Sequence, residues 1–193
     1  MRRFCLAVLA CVATACDKVD FIEIAPADVE FLSRGESKNL SARCMSRAGN
    51  RAERAMVSWR SKDPEIAEVS AKGVVTPKKS GVTEAIAKYE DVESAIPVRV
   101  SFVEKVEVLN PVITIKEGGE SVPIQLKFLG LKGRDLGTRG ATYTPKDKKI
   151  AAIVGGNAVL PLDVGKTTVD IQVDGIAASL EVIVEEDKAL KKK

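Results

Sequence analysis

The sequence predicts an all-β chain built from two copies of one β-sandwich. Three observations predict it: an internal repeat at a fixed offset, apolar residues alternating with period two, and turn signals that cut the chain into short runs. Gly81 and Gly165 stand 84 positions apart. The same offset pairs Gly35-Glu36-Ser37 with Gly119-Glu120-Ser121, Asp63 with Asp147, Ile66-Ala67 with Ile150-Ala151, Thr83 with Thr167, and Val98 and Val100 with Val182 and Val184. No gap is needed from Val19 and Val103 onward, so two copies fill the chain after its first segment.

An even offset preserves strand parity, and both copies can therefore be checked against each other. Thr83, Ala85, Ala87 and Tyr89 match Thr167, Val169, Ile171 and Val173, with Glu84, Lys88, Asp170 and Gln172 on the opposite face. Ile96, Val98, Val100 and Phe102 alternate with Pro97, Arg99 and Ser101, as Leu180, Val182 and Val184 alternate with Glu181 and Glu185. Period two in independent copies marks half-buried strands. Arg34-Gly35, Ala48-Gly49-Asn50, Lys72-Gly73, Ser80-Gly81, Gly118-Gly119, Gly155-Gly156-Asn157 and Asp174-Gly175 supply the turns, the last suited to a tight hairpin. Two amphipathic sheets can bury their apolar faces against each other, which gives a small seven-strand-type sandwich per copy.

The start of the chain is an address. Arg2 and Arg3 precede a short apolar run over 4–15 that ends in small residues, the pattern of an export signal. It is shorter than the ~20 residues a spanning helix needs. Ala13-Thr14-Ala15-Cys16 resembles the bacterial lipobox, in which the cysteine is diacylated and becomes the mature N-terminus, with Ala13 where leucine is usual. Val8-Leu9-Ala10-Cys11 is the weaker alternative, because it leaves an h-region of barely six residues. The resemblance implies a signal peptide over 1–15, a lipidated tether over 16–18, and export to the cell envelope. The protein would lie on the periplasmic face or the cell surface, with Asp17 resembling an inner-membrane retention signal.

With Cys16 acylated, Cys44 is the remaining thiol of the mature chain and no internal disulfide can form. Cys44 continues the alternation of Leu40 and Ala42, so it reads as a buried small hydrophobe rather than a nucleophile. Histidine is absent, which removes the commonest general base and zinc ligand, and no P-loop or zinc ligand cluster appears. The expectation is a non-enzyme with no cofactor. With Arg2 and Arg3 in the cleaved segment, 28 cations face 27 anions. No global field favours nucleic acid, and aromatics at 4% leave few rings for stacking.

The run Val57-Ser58-Trp59-Arg60-Ser61-Lys62-Asp63-Pro64-Glu65-Ile66-Ala67-Glu68-Val69, followed by Gly73-Val74-Val75-Thr76-Pro77 and Gly81-Val82-Thr83, resembles the bacterial Ig-like domain of group 2, shared with intimin- and invasin-type adhesins. The second copy departs from that pattern at Tyr143, Pro145, Lys148 and Asn157. The resemblance implies immunoglobulin-like sandwiches, domain 1 over 19–102 and a degenerate domain 2 over 103–187, ahead of a basic tail over 188–193. It also implies display or adhesion toward a protein or glycan partner, with a structural spacer of an envelope complex as the alternative.

Trp59 should plug the space between the sheets, and Asp63-Pro64 suits a turn start in which the carboxylate accepts backbone N–H groups. A calcium role for Asp63 and Asp147 is the weaker reading, since calcium wants six or more oxygens. The segments before the central strands are basic. Arg43, Arg47, Arg51 and Arg54 in the first copy and Lys132, Arg134 and Arg139 in the second form candidate binding loops at the same end of each domain, suited to phosphates or carboxylates. No Gly/Pro/Ser-rich linker separates the copies near Phe102-Val103-Glu104, which predicts a stiff junction.

Overall fold

The computed structural model describes residues 18–52 and 55–187. The signal segment 1–15, Cys16, Asp17, Arg54 and the tail 188–193 lie outside the described residues. No α-helix occurs among the described residues, and no helix there is long and apolar enough to cross a membrane.

The first sandwich comprises β1 (Phe21–Ala25), β2 (Val29–Phe31), β3 (Lys38–Asn39), β4 (Ser41–Met45), β5 (Ser58–Ser61), β6 (Ala67–Val69), β7 (Val74–Pro77), β8 (Gly81–Tyr89) and β9 (Val92–Val100). One sheet runs β2-β9-β8-β5. Facing it are the ladders β1-β4 and β3-β7-β6. They join at Leu40, whose N–H donates to the Gly73 carbonyl at 2.8 Å, so β3 and β4 are halves of one interrupted strand.

The second sandwich repeats this plan with β10 (Lys105–Val108), β11 (Val112–Lys116), β12 (Val122–Pro123), β13 (Leu126–Leu129), β14 (Thr142–Pro145), β15 (Ala151–Val154), β16 (Ala158–Pro161), β17 (Gly165–Val173) and β18 (Ile176–Glu185). Its sheet β11-β18-β17-β14 faces β10-β13 and β12-β16-β15, and Ile124 donates to the Asn157 carbonyl at 2.8 Å as Leu40 does to Gly73. The protein is thus all-β, two tandem immunoglobulin-like sandwiches.

The alternating residues fill the cores. Thr83, Ala85 and Ala87 of β8 and Ile96, Val98 and Val100 of β9 are buried, as are Val169, Ile171 and Val173 of β17 and Leu180, Val182 and Val184 of β18. Phe31 and Phe102 are fully buried together in the first core, each contributing about 2–3 kcal/mol by leaving water.

The repeated polar positions also have a physical reason. In each copy a buried threonine hydroxyl accepts the N–H of the turn aspartate: Asp63 to Thr83 Oγ1 at 2.9 Å and Asp147 to Thr167 Oγ1 at 3.0 Å. The same aspartates accept the N–H two residues on, from Glu65 and Lys149. Ile66 and Ile150 lie against Gly81 and Gly165, where an added Cβ would sit 2.8 Å from the isoleucine Cδ1 in both copies. That close approach explains why glycine recurs at the offset.

Two features were not expected from the sequence. The first strand changes sheets: β1 pairs antiparallel with β4, then after Pro26 β2 runs parallel to β9, and β10 and β11 do the same around Pro111. Secondly, the departure at Asn157 leaves the hairpin length unchanged. Both turns bridge with three residues, but the positive φ moves from Gly73 (78°) to Gly155 (57°) and Gly156 (87°), so a non-glycine becomes tolerable at 157.

Candidate functional site

Of the basic loop candidates, the structure describes Arg47, Arg51, Lys132, Arg134 and Arg139, and it separates them into three places rather than one site. Arg47 and Arg51 stand at the outer pole of the first sandwich, where the described chain begins. There the Asp20 N–H donates to the Met45 carbonyl, and the Asp20 carboxylate accepts the Arg47 N–H at 2.9 Å while lying 3.8 Å from its guanidinium. The Arg47 side chain is 91% exposed, so that pair contributes little in water. Arg51 is exposed and bridges Met45, and Arg43 sits on β4 opposite Glu23. Arg54 lies outside the described residues.

Lys132 and Arg134 occupy the equivalent pole of the second sandwich, but tandem stacking turns that pole inward. A short 3-10 turn, Leu131–Gly133, places them in the seam between the sandwiches, beside Ser80 and Arg99 of the first. The seam is built mainly by residues that the sequence marked as turns or as the junction, without showing what they contact. Arg34 lies over the Phe102 ring at 4.7 Å, 3.9 Å from the Glu104 carboxylate and 3.9 Å from Asp174. Its backbone N–H donates to Asp174 Oδ1 at 2.5 Å, and Ser80 Oγ donates to Glu104 Oε1 at 2.7 Å.

Asp174 is 5% exposed and occupies the β17–β18 hairpin with φ of 48°, followed by Gly175 at 81°, the positive angles that a type I′ turn requires. Beneath the polar contacts, Phe102 and Val103 are each 1% exposed. The junction between β9 and β10 is therefore packed core, in agreement with the absence of linker composition. A sequence signal for the seam existed in the repeat itself: Arg34 stands opposite Gly118 and Ser80 opposite Val164, so the seam lies where the copies disagree.

Arg139 is set apart again, in a cleft of about 690 Å³ between the sheets of the second sandwich. Leu126, Phe128, Tyr143 and Asn157 line it as well. Burial pushes the Tyr143 phenol up, so it keeps its proton.

The remaining sequence candidates have structural roles. Cys44 is buried and unbridged, and burial raises its thiol pKa, which lowers its thiolate fraction. Trp59 is half-buried, touches both core clusters of the first sandwich, and lies against the Gly73 turn. Asp63 and Asp147 are used in the turns described above, and among the described residues no group of three His, Cys, Asp or Glu is placed to hold a metal.

No protein-family model matches the chain, and no curated protein matches it in sequence. Among solved structures, it is similar to domains 4–9 of the surface layer protein SbsC, at 17% identity and a TM-score of 0.42 over 88% of this chain and 31% of that one. It is similar to SbsC domains 5–6 at 20% identity and a TM-score of 0.40, over 86% and 98% of the two chains. Sidekick-1 immunoglobulin domains 1–5 are similar at 11% identity and a TM-score of 0.41, over 87% and 40%. The chain spans less than a third of the length of the first and largest S-layer structures that it matches.

Proposed function

We propose that this chain is an exported bacterial lipoprotein, acylated on Cys16, that holds two group-2 bacterial Ig-like domains on the cell envelope and acts without catalysis as an interaction module for a protein or glycan. The observation that carries this reading is the seam. A display module needs its domains held in a fixed relation, and the buried Phe102 and Val103 with the Arg34 and Asp174 contacts pack one sandwich directly on the other. Two acyl chains on Cys16 supply the pair of hydrophobic anchors that stable membrane attachment requires. Two residues, Asp17 and Lys18, would separate that anchor from the first sandwich.

A second reading, a spacer that positions an envelope complex and binds no external ligand, is favoured by one specific placement. Lys132 and Arg134 lie in the seam rather than on a free tip.

Intact-mass analysis of the native protein and a Cys16→Ala variant, followed by protease accessibility on whole cells, tests both. Acyl mass lost in the variant, with shaving from intact cells, is the expected result for display. Acylation with shielding from protease would move the protein to the spacer role, and an unacylated soluble chain would overturn the anchor.

A further inference from the structure

We infer that the inter-sheet cleft of the second sandwich is a binding site for a small amphiphile, an apolar ring-sized body carrying one carboxylate. This goes beyond the envelope role and does not depend on it. A volume of about 690 Å³ falls within the ~300–1,000 Å³ usual for small-molecule clefts. Apolar Ile124, Leu126 and Phe128 line it together with Tyr143, Asn157 and two cations, Arg139 and Lys127, the latter 3.9 Å from Asp135.

The first sandwich is an internal comparison, because the offset places Trp59 at the Tyr143 position and Ala55 at the Arg139 position. Both of those residues pack against the first core, and the indole comes so close to the Gly73 turn that a Cβ there would lie 3.1 Å from it. In the second copy the indole is exchanged for a phenol, and a guanidinium arrives where a methyl packed. Such a pair of exchanges lowers packing and adds a cation, which costs stability unless the cation finds a partner.

Arg139 has not found one at every nitrogen. Its Nε is shielded from solvent and makes no hydrogen bond among the described residues. Asp135, the acidic group lining the cleft, is engaged by its neighbours in that lining: its Oδ1 accepts the Gly137 N–H at 2.9 Å, and its Oδ2 lies 3.9 Å from Lys127. The shielded Nε is out of a ligand's reach, so an entering carboxylate would pair with the rest of the Arg139 guanidinium, and an apolar body displaces water from the aliphatic and aromatic lining. The Tyr143 phenol, which carries its proton at neutral pH, adds a neutral donor.

The test uses the full chain, in lipid nanodiscs if it carries acyl mass and in buffer if it does not, so failure of the anchor reading leaves this test intact. The probes are a fluorinated naphthoate and its uncharged amide, followed by fluorine NMR line broadening. The naphthoate should bind saturably and the amide about tenfold or more weakly, as expected for losing a charged hydrogen bond. Arg139→Ala should reduce the naphthoate to the level of the amide. Tyr143→Trp, which restores the ring of the first copy, should abolish binding of both probes with the unfolding midpoint retained or raised. Absence of saturable binding, equal affinity for acid and amide, or unchanged binding by a folded Tyr143→Trp protein would each overturn the inference.

Discussion

Replacing Thr83 by valine isolates one repeated hydrogen bond. Valine keeps the shape of the side chain and substitutes a methyl for the hydroxyl, so packing around a residue 5% exposed is retained while the Asp63 N–H loses its acceptor. Asp63 is half-buried and its bond to Thr83 is part-buried; the cost should be about 1–2 kcal/mol. The twin change, Thr167→Val, removes the acceptor of Asp147, which is exposed, so water replaces the bond more easily and the cost should be about 1 kcal/mol or less. For a sandwich of this size each kcal/mol moves the melting midpoint by about 4–8 °C. Trp59 is the single tryptophan, so its emission follows the first sandwich alone while far-ultraviolet circular dichroism follows both. Thr83→Val should therefore lower the Trp59 transition by roughly 5–15 °C. Thr83→Ser keeps the oxygen and should fall less. If the serine variant is instead the less stable and the valine variant melts unchanged, methyl packing rather than the acceptor fixes threonine at both positions.

The seam can be measured by a double-mutant cycle of Arg34→Met with Asp174→Asn, read by denaturant unfolding. A coupling of about 1–2 kcal/mol is expected for a charge pair with one buried partner, and a value near zero would mean the contact does not hold the sandwiches together. Val98→Ala and Val182→Ala remove matched, fully buried branches, and each should cost its own sandwich about 2 kcal/mol by chemical unfolding; a loss confined to one copy would break the structural equivalence. Because burial raises the Cys44 thiol, iodoacetamide at pH 8 should label the folded chain at least about tenfold more slowly than a free cysteine thiol, and unfolding should restore the rate. Side-chain hydrogen bonds to Lys78, Lys88 and Lys105 hold Glu68, Glu93 and Glu107 below the ordinary glutamate range. The associated stabilisation is present above the unfolded value and disappears as pH falls through the lowered folded values. Carboxyl NMR titrations should show that order at low ionic strength, and 1 M salt should move all three upward.

Much of the fold was legible because burial writes itself into sequence at period two, and two copies gave each strand an independent check. Thr83 with Thr167 and Gly81 with Gly165 recur because each makes the same contact twice. The change of sheet after Pro26 was not legible, since alternation reports which residues face inward but not which strand pairs with which. The basic loops were visible as composition, yet their separation depends on how one sandwich stacks on the other. Lys132 and Arg134 fall in the seam, Arg139 turns into the cleft, and Arg47 and Arg51 stay outside. Arg34 and Asp174 were legible only as turn residues, because a turn signal does not say what the turn packs against.

The change of sheets also decides how the molecule carries tension. Tension applied between the two ends of the described chain would pull β2 and β9 in opposite directions along parallel neighbours, loading their ladder in shear so that its rungs share the force. In the first sandwich that clamp spans three residue pairs, Val29 with Val98 to Phe31 with Val100. In the second it spans five, from Val112 with Glu181 to Lys116 with Glu185. Under such tension the first sandwich should yield before the second, because fewer rungs share its load.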